Sequence, residues 1–173
     1  MKNRSMAVWL NGLAAGAIGA AITALWSLLL ETARGLPFYA PTVLGTVFFL
    51  GLSPDGSIEP AQFSLELLLA YLCFHALAFV VLGEIAAFVL LADKNPNLWL
   101  SVLLLFAALH FGFVATAFVF AKLLFDGVAW LTVVAGNLLA AAGMAGYLQL
   151  RHPKWQRYRP SPPQPADHLS GTD

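Results

Sequence analysis

Two apolar runs, 63–91 and 98–125, are separated only by a short polar linker containing Asp93, Lys94, Asn95, Pro96 and Asn97. Each run exceeds the roughly 20 apolar residues that a helix needs to cross a bilayer, and the proline-bearing linker is a turn signal. The pair predicts a transmembrane hairpin and excludes a water-soluble fold. The rest of the chain agrees, with 60% of its residues apolar and 10% charged. The apolar residues come in continuous blocks rather than in the broken periodicity of a soluble amphipathic protein. The lone cysteine, Cys73, lies inside a run, so neither an intrachain disulfide nor a cysteine-based metal site is available.

The chain opens on Lys2 and Arg4 before an apolar run over 6–30. That run is longer than the roughly 7–15 residues of a signal-peptide core, and no small-x-small cleavage site follows, so it is expected to be a retained span. Gly12, Gly16, Gly19, Thr23 and Ser27 recur along it at helical spacing. Such a stripe lets another helix approach closely, here within the chain or, as the alternative, across a homodimer. Gly35, Pro37 and Pro41 then break the helix, and the stretch 41–52 is too short to span. It is expected to form an interfacial or re-entrant helix. A last apolar run, 128–150, carries Gly136, Ala140 and Gly143 on one face. Its stripe runs antiparallel to that of the first run, so these two helices are expected to pack together and close the bundle.

The reading is an all-α integral membrane protein, a four-helix transmembrane bundle forming a single domain over 1–150, with spans 6–30, 63–91, 98–125 and 128–150. Lys2, Arg4, Lys94, Arg151, Lys154, Arg157 and Arg159 fall on one side, leaving Arg34 and Lys122 on the other. The positive-inside tendency puts both termini in the cytoplasm. Trp9, Trp99 and Trp155 then lie near the inner boundary and Trp130 near the outer one, as interfacial anchors should. The basic residues Arg151, Lys154, Arg157 and Arg159, interleaved with Trp155 and Tyr158, are expected to meet anionic lipid headgroups rather than nucleic acid. The Pro-rich remainder of 151–173 is expected to be disordered.

Leu25, Trp26, Glu31, the run from Gly35 through Tyr39, Pro41, Leu44 and Gly45 form one part of a recurring pattern. His75, the run from Ala135 through Ala140, His152 and Pro153 complete it. In these residues the chain resembles a group of small, uncharacterised bacterial four-span inner-membrane proteins. The resemblance implies a bacterial inner-membrane location and a four-span fold, and it carries no activity or cofactor.

Polar residues inside the spans are costly and are where function is to be sought. Counted from the inner end at about 1.5 Å per residue, Thr23 and His75 both lie about 24 Å deep, and His110 and Asn137 about 18 Å. Glu66 and Lys122 match in depth near the outer surface and are expected to form an interhelical ion pair. Glu84 sits roughly 10 Å in, with no base at its level, and is expected to favour its neutral form or to bond Asn11, Ser101 or Tyr147. His75 and His110 could ligate a haem or a metal. On an ideal helix, however, His75 lies opposite Glu66 and Glu84, which points it away from the third span, where Lys122 and His110 lie. No cofactor or metal is therefore expected. Hydrolase, phosphate-loop and metalloprotease motifs are all missing. The favoured function is a non-enzymatic accessory or assembly component, working within a homo-oligomer or a larger membrane complex. An oligomeric proton-coupled carrier is the alternative, and a bis-histidine haem or metal protein the second.

Overall fold

The structure is a computed structural model that describes residues 2–51, 64–92, 97–119 and 130–152. These form five helices: α1 (Lys2–Ala33), α2 (Tyr39–Leu50), α3 (Leu65–Ala92), α4 (Leu98–Val119) and α5 (Trp130–Arg151). Among the described residues α1, α3, α4 and α5 are each long and apolar enough to cross a membrane. The chain is thus an all-α multi-pass membrane protein with bundled helices. The 12 residues of α2 extend about 18 Å, short of the roughly 30 Å hydrocarbon core. The helix runs from Tyr39 rather than from Pro41, and it stops at Gly51, whose φ of 82° is left-handed.

Local chemistry sets the ends. The α1 helix closes where Leu36 N–H reaches back to the Glu31 carbonyl at 2.9 Å and Gly35 takes a φ of 75°. Asn97 caps α4, its Oδ1 accepting from the backbone N–H groups of Trp99 at 3.0 Å and Leu100 at 3.4 Å.

The arrangement differs from the expected hairpin in one respect. Neighbours in sequence, α3 and α4 share almost no contact among the described residues; α1 lies against α3, α5 against α1, α4 against α5, and α2 against the outside of α3. Glycine is the reason. A Cβ on Gly16 would stand 2.5 Å from the Val80 Cα, and one on Gly12 would stand 2.7 Å from the Glu84 Cα. Opposite them, a Cβ on Gly83 would run into the backbones of Gly12 and Gly16. The two backbones approach so closely that α1 takes the place beside α3 that the short linker would have left to α4.

The expected pairing of α1 with α5 is present, but the α1 stripe is divided. Gly12 and Gly16 serve α3, whereas Gly19 makes room for Met144 of α5. In return, Gly136 receives the indole of Trp26 and Gly143 the side chain of Ile22. Between these helices the core is mostly alanine, with Ala15, Ala86, Ala87, Ala140, Ala141 and Ala145 buried around Met144 and Leu148. Small residues suit a bundle in lipid, where close van der Waals contact replaces the hydrophobic drive. Large apolar residues such as Phe88, Phe111 and Leu131 point outward and are exposed.

The seam makes a direct prediction. Gly16→Leu should destabilise the protein by about 1–3 kcal/mol through overpacking against backbone. Gly112→Ala, whose Cβ meets nothing within 4 Å, should be neutral on this scale. Steric-trapping measurements in bicelles would read both.

Candidate functional site

Thr23 and His75, expected at one depth, meet across α1 and α3. The Thr23 Oγ1 lies 2.9 Å from His75 Nε2 and also 3.1 Å and 3.0 Å from the carbonyls of Gly19 and Ala20. A threonine in a helix commonly donates its hydroxyl hydrogen to a carbonyl one turn back. With that hydrogen used, the oxygen accepts from His75 Nε2–H. The imidazole is held between Tyr71, with ring centroids 5.8 Å apart, and Phe79, at 4.8 Å.

His110 is elsewhere. It stacks on Phe106 of its own helix at 5.5 Å, and its Nδ1 is buried without a partner. Because α4 packs on α5 and not on α3, no hydrogen bond or ring contact joins His75 to His110. The described residues include no group of three or more His, Cys, Asp or Glu placed to hold a metal.

Asn137, expected at the level of His110, makes no hydrogen bond to it. It is buried with its Nδ2 unpartnered. Glu84 lies over Gly12 in a groove of about 550 Å³ beside Trp9, Leu10 and Leu13. The partners expected for it are otherwise engaged. Tyr147 donates to Asn11 Oδ1 at 3.2 Å, Asn11 donates to the Ala7 carbonyl at 2.7 Å, and Ser101 donates to the Asn97 carbonyl at 2.8 Å. Glu66 is exposed in the first turn of α3. Its expected partner Lys122 lies outside the described residues, as do Lys154, Arg157 and Arg159. Arg151 is exposed, its guanidinium 5.3 Å from the centre of the Tyr147 ring.

Thr23, His75 and Asn137 do converge, on a cavity of about 690 Å³ bounded by α1, α2, α3 and α5 with Phe113 of α4. Further polar residues of its wall, among them Glu31, Tyr71 and Trp26, were not expected there. Glu31 belongs to the last turn of α1 and is buried. Its Oε1 accepts from the Ser27 hydroxyl at 2.9 Å and from the Ala40 N–H at 3.1 Å, while Oε2 is buried with no partner. The Ala40 N–H is one of the free donors in the first turn of α2, so the carboxyl caps that helix and meets the positive end of its dipole. Tyr71 lies within electrostatic reach of Glu31. The Trp26 indole donates to the Thr132 carbonyl at 2.9 Å and ties α1 to α5. From Glu31 down to Thr23 is about 12 Å along α1, so the cavity has a carboxyl towards one end and an imidazole and hydroxyl towards the other, with the Asn137 carboxamide also in its wall.

In the sequence Glu31 reads as the start of a loop, because Gly35 and Pro37 follow it closely. The usable signal is the spacing of Ser27 and Glu31, one helical turn apart at the end of an apolar run.

The wall residues differ in what they contribute to stability. Thr23→Val should cost about 0.6 kcal/mol, the mean value of an interhelical hydrogen bond in a membrane protein. Asn137→Leu should be neutral or stabilising, since it removes a buried amide with no partner. Steric-trapping measurements on the two variants would check this difference of sign. Comparison with protein-family models, with curated proteins and with solved structures returns no match for this chain.

Proposed function

We propose that the chain is a non-enzymatic accessory protein of the bacterial inner membrane that binds a small amphipathic molecule in the cavity between α1, α2, α3 and α5. One observation carries this reading: Glu31 Oε2 and Asn137 Nδ2 are both buried and unpartnered in residues of the same cavity wall. Leaving a buried polar group unpaired costs about 1–3 kcal/mol, more when it is charged. A ligand that satisfies both atoms recovers that cost. The cavity volume of about 690 Å³ lies within the range of roughly 300–1,000 Å³ usual for small-molecule sites. Phe38, also in the wall, holds a φ of 64° that a phenylalanine rarely adopts, and such strain concentrates at ligand sites.

Binding is favoured over turnover because the Thr23 hydroxyl hydrogen is spent on carbonyls of its own helix and the Ser27 hydroxyl is held by a carboxyl that caps α2. A carrier is the second reading. It draws on Glu84, which sits along the α1–α3 seam on the other side of Thr23 and His75 and has no hydrogen bond among the described residues. The inner-membrane location draws on the resemblance to small bacterial four-span proteins, and a cytoplasmic placement of both termini draws on the distribution of basic residues. In that orientation the Glu31 end of the cavity faces outward. Bilayer lipid surrounds the helices, and a homo-oligomer or a larger complex is the expected assembly.

Two measurements test the reading. Native mass spectrometry of protein released from native nanodiscs should show a small-molecule adduct that Ala24→Phe, which fills the cavity, removes. An identical spectrum for both proteins would place any ligand elsewhere. For orientation, single cysteines introduced at Asn3 and Gly171 in a Cys73→Ser background should resist a membrane-impermeant maleimide in intact spheroplasts, while Arg34→Cys should react. Labelling in the reverse pattern would invert the topology.

A further inference from the structure

The charges around the cavity distinguish among ligands. Glu31 is the only carboxylate in its wall among the described residues. Both donors that reach Glu31, Ser27 O–H and Ala40 N–H, serve Oε1, and no cation pairs with it among the described residues. Arg34, one turn on, is exposed at the rim and makes no ion pair with it. Among the described residues the other titratable groups facing the space are Tyr39 from α2 and Tyr71 and His75 from α3; α5 supplies none, and α4 supplies only Phe113. A buried carboxylate without a counter-charge is unfavourable unless something pairs with it.

The remaining surface fits a cation as well. Trp26, Phe38, Tyr39, Tyr71 and Phe79 line the cavity, and aromatic faces attract ammonium groups, most strongly where water is excluded. An anion, by contrast, would lose its hydration beside Glu31, while the positive charge of Arg34 stays at the rim, screened by water. Elsewhere in the wall the free Asn137 Nδ2–H groups call for an acceptor. We infer that the cavity takes a lipophilic organic ammonium, its charged nitrogen against the Glu31 carboxylate and a hydrogen-bond acceptor against Asn137. This rests on the reading of the cavity as a ligand site and adds the sign and layout of the ligand.

Three dansyl probes of matched length separate the two claims. Dansylcadaverine carries a terminal ammonium, its N-acetyl derivative is neutral, and dansyl-6-aminohexanoate ends in a carboxylate. Their fluorescence would be titrated against the full chain in nanodiscs of zwitterionic lipid, with empty nanodiscs subtracted. The ammonium probe should bind at least about tenfold more tightly than the other two, the ratio that one charge-assisted contact of about 1.4 kcal/mol supplies. Glu31→Gln should abolish that preference, and Glu66→Gln, outside the cavity, should leave it intact. Equal binding of the three probes to the native chain, which needs no variant to fold, would overturn the cation assignment while leaving the cavity as a ligand site. So would an undiminished preference in folded Glu31→Gln. Binding of none of them would remove both claims.

Discussion

The close approach of α1 to α3 at Gly12, Gly16 and Gly83 is the contact on which the other positions depend. It needs three residues without Cβ atoms at matching heights on two helices, and where those glycines end it cannot continue. Beyond Gly19 the facing residues become Thr23, Trp26 and Ser27 on α1 and His75, Leu72, Tyr71 and Leu68 on α3. The cavity lies among these side chains and is bounded also by α2 and α5.

A gap of that kind in lipid has to be filled or lined, and here it is lined by groups fastened to the backbone. Trp26 is tied to the Thr132 carbonyl, Thr23 to its own helix and to His75, and the carboxyl of Glu31 to the first turn of α2. The last contact explains why a helix too short to span is held at this place. By accepting from Ala40, Glu31 joins the end of one helix to the start of the next across the bend at Gly35 and Phe38. The same residue that fixes the loop therefore also presents an unpartnered carboxyl oxygen in the cavity wall.

Much of the architecture is legible residue by residue. Long uninterrupted apolar runs have one outcome in a chain this poor in charge, because only a helix satisfies its own backbone in lipid. The helices therefore follow the runs closely, from α1 to α5. Shared depth likewise brought Thr23 and His75 to the same level, since rise along a helix is uniform. Depth leaves rotation undecided, and rotation is what separates His110 from Asn137 and leaves Glu84 without Asn11, Ser101 or Tyr147. Glu31 was hidden for a related reason. Whether a carboxyl at a helix end meets water or the next helix depends on the path of the chain after it.

The sequence by itself determined that this protein lives in a membrane, how many helices can cross it, and which polar residues lie at depth, because these follow from length, apolarity and a fixed rise per residue. Only the tertiary structure decided which helices are neighbours, and so which polar groups share a space. Short loops bring consecutive helices within reach of one another, but the smallest facing side chains decide which pair approaches most closely. Here that pair is α1 and α3, and with α2 and α5 packed beside them Glu31, Tyr71, His75 and Asn137 come together around one cavity.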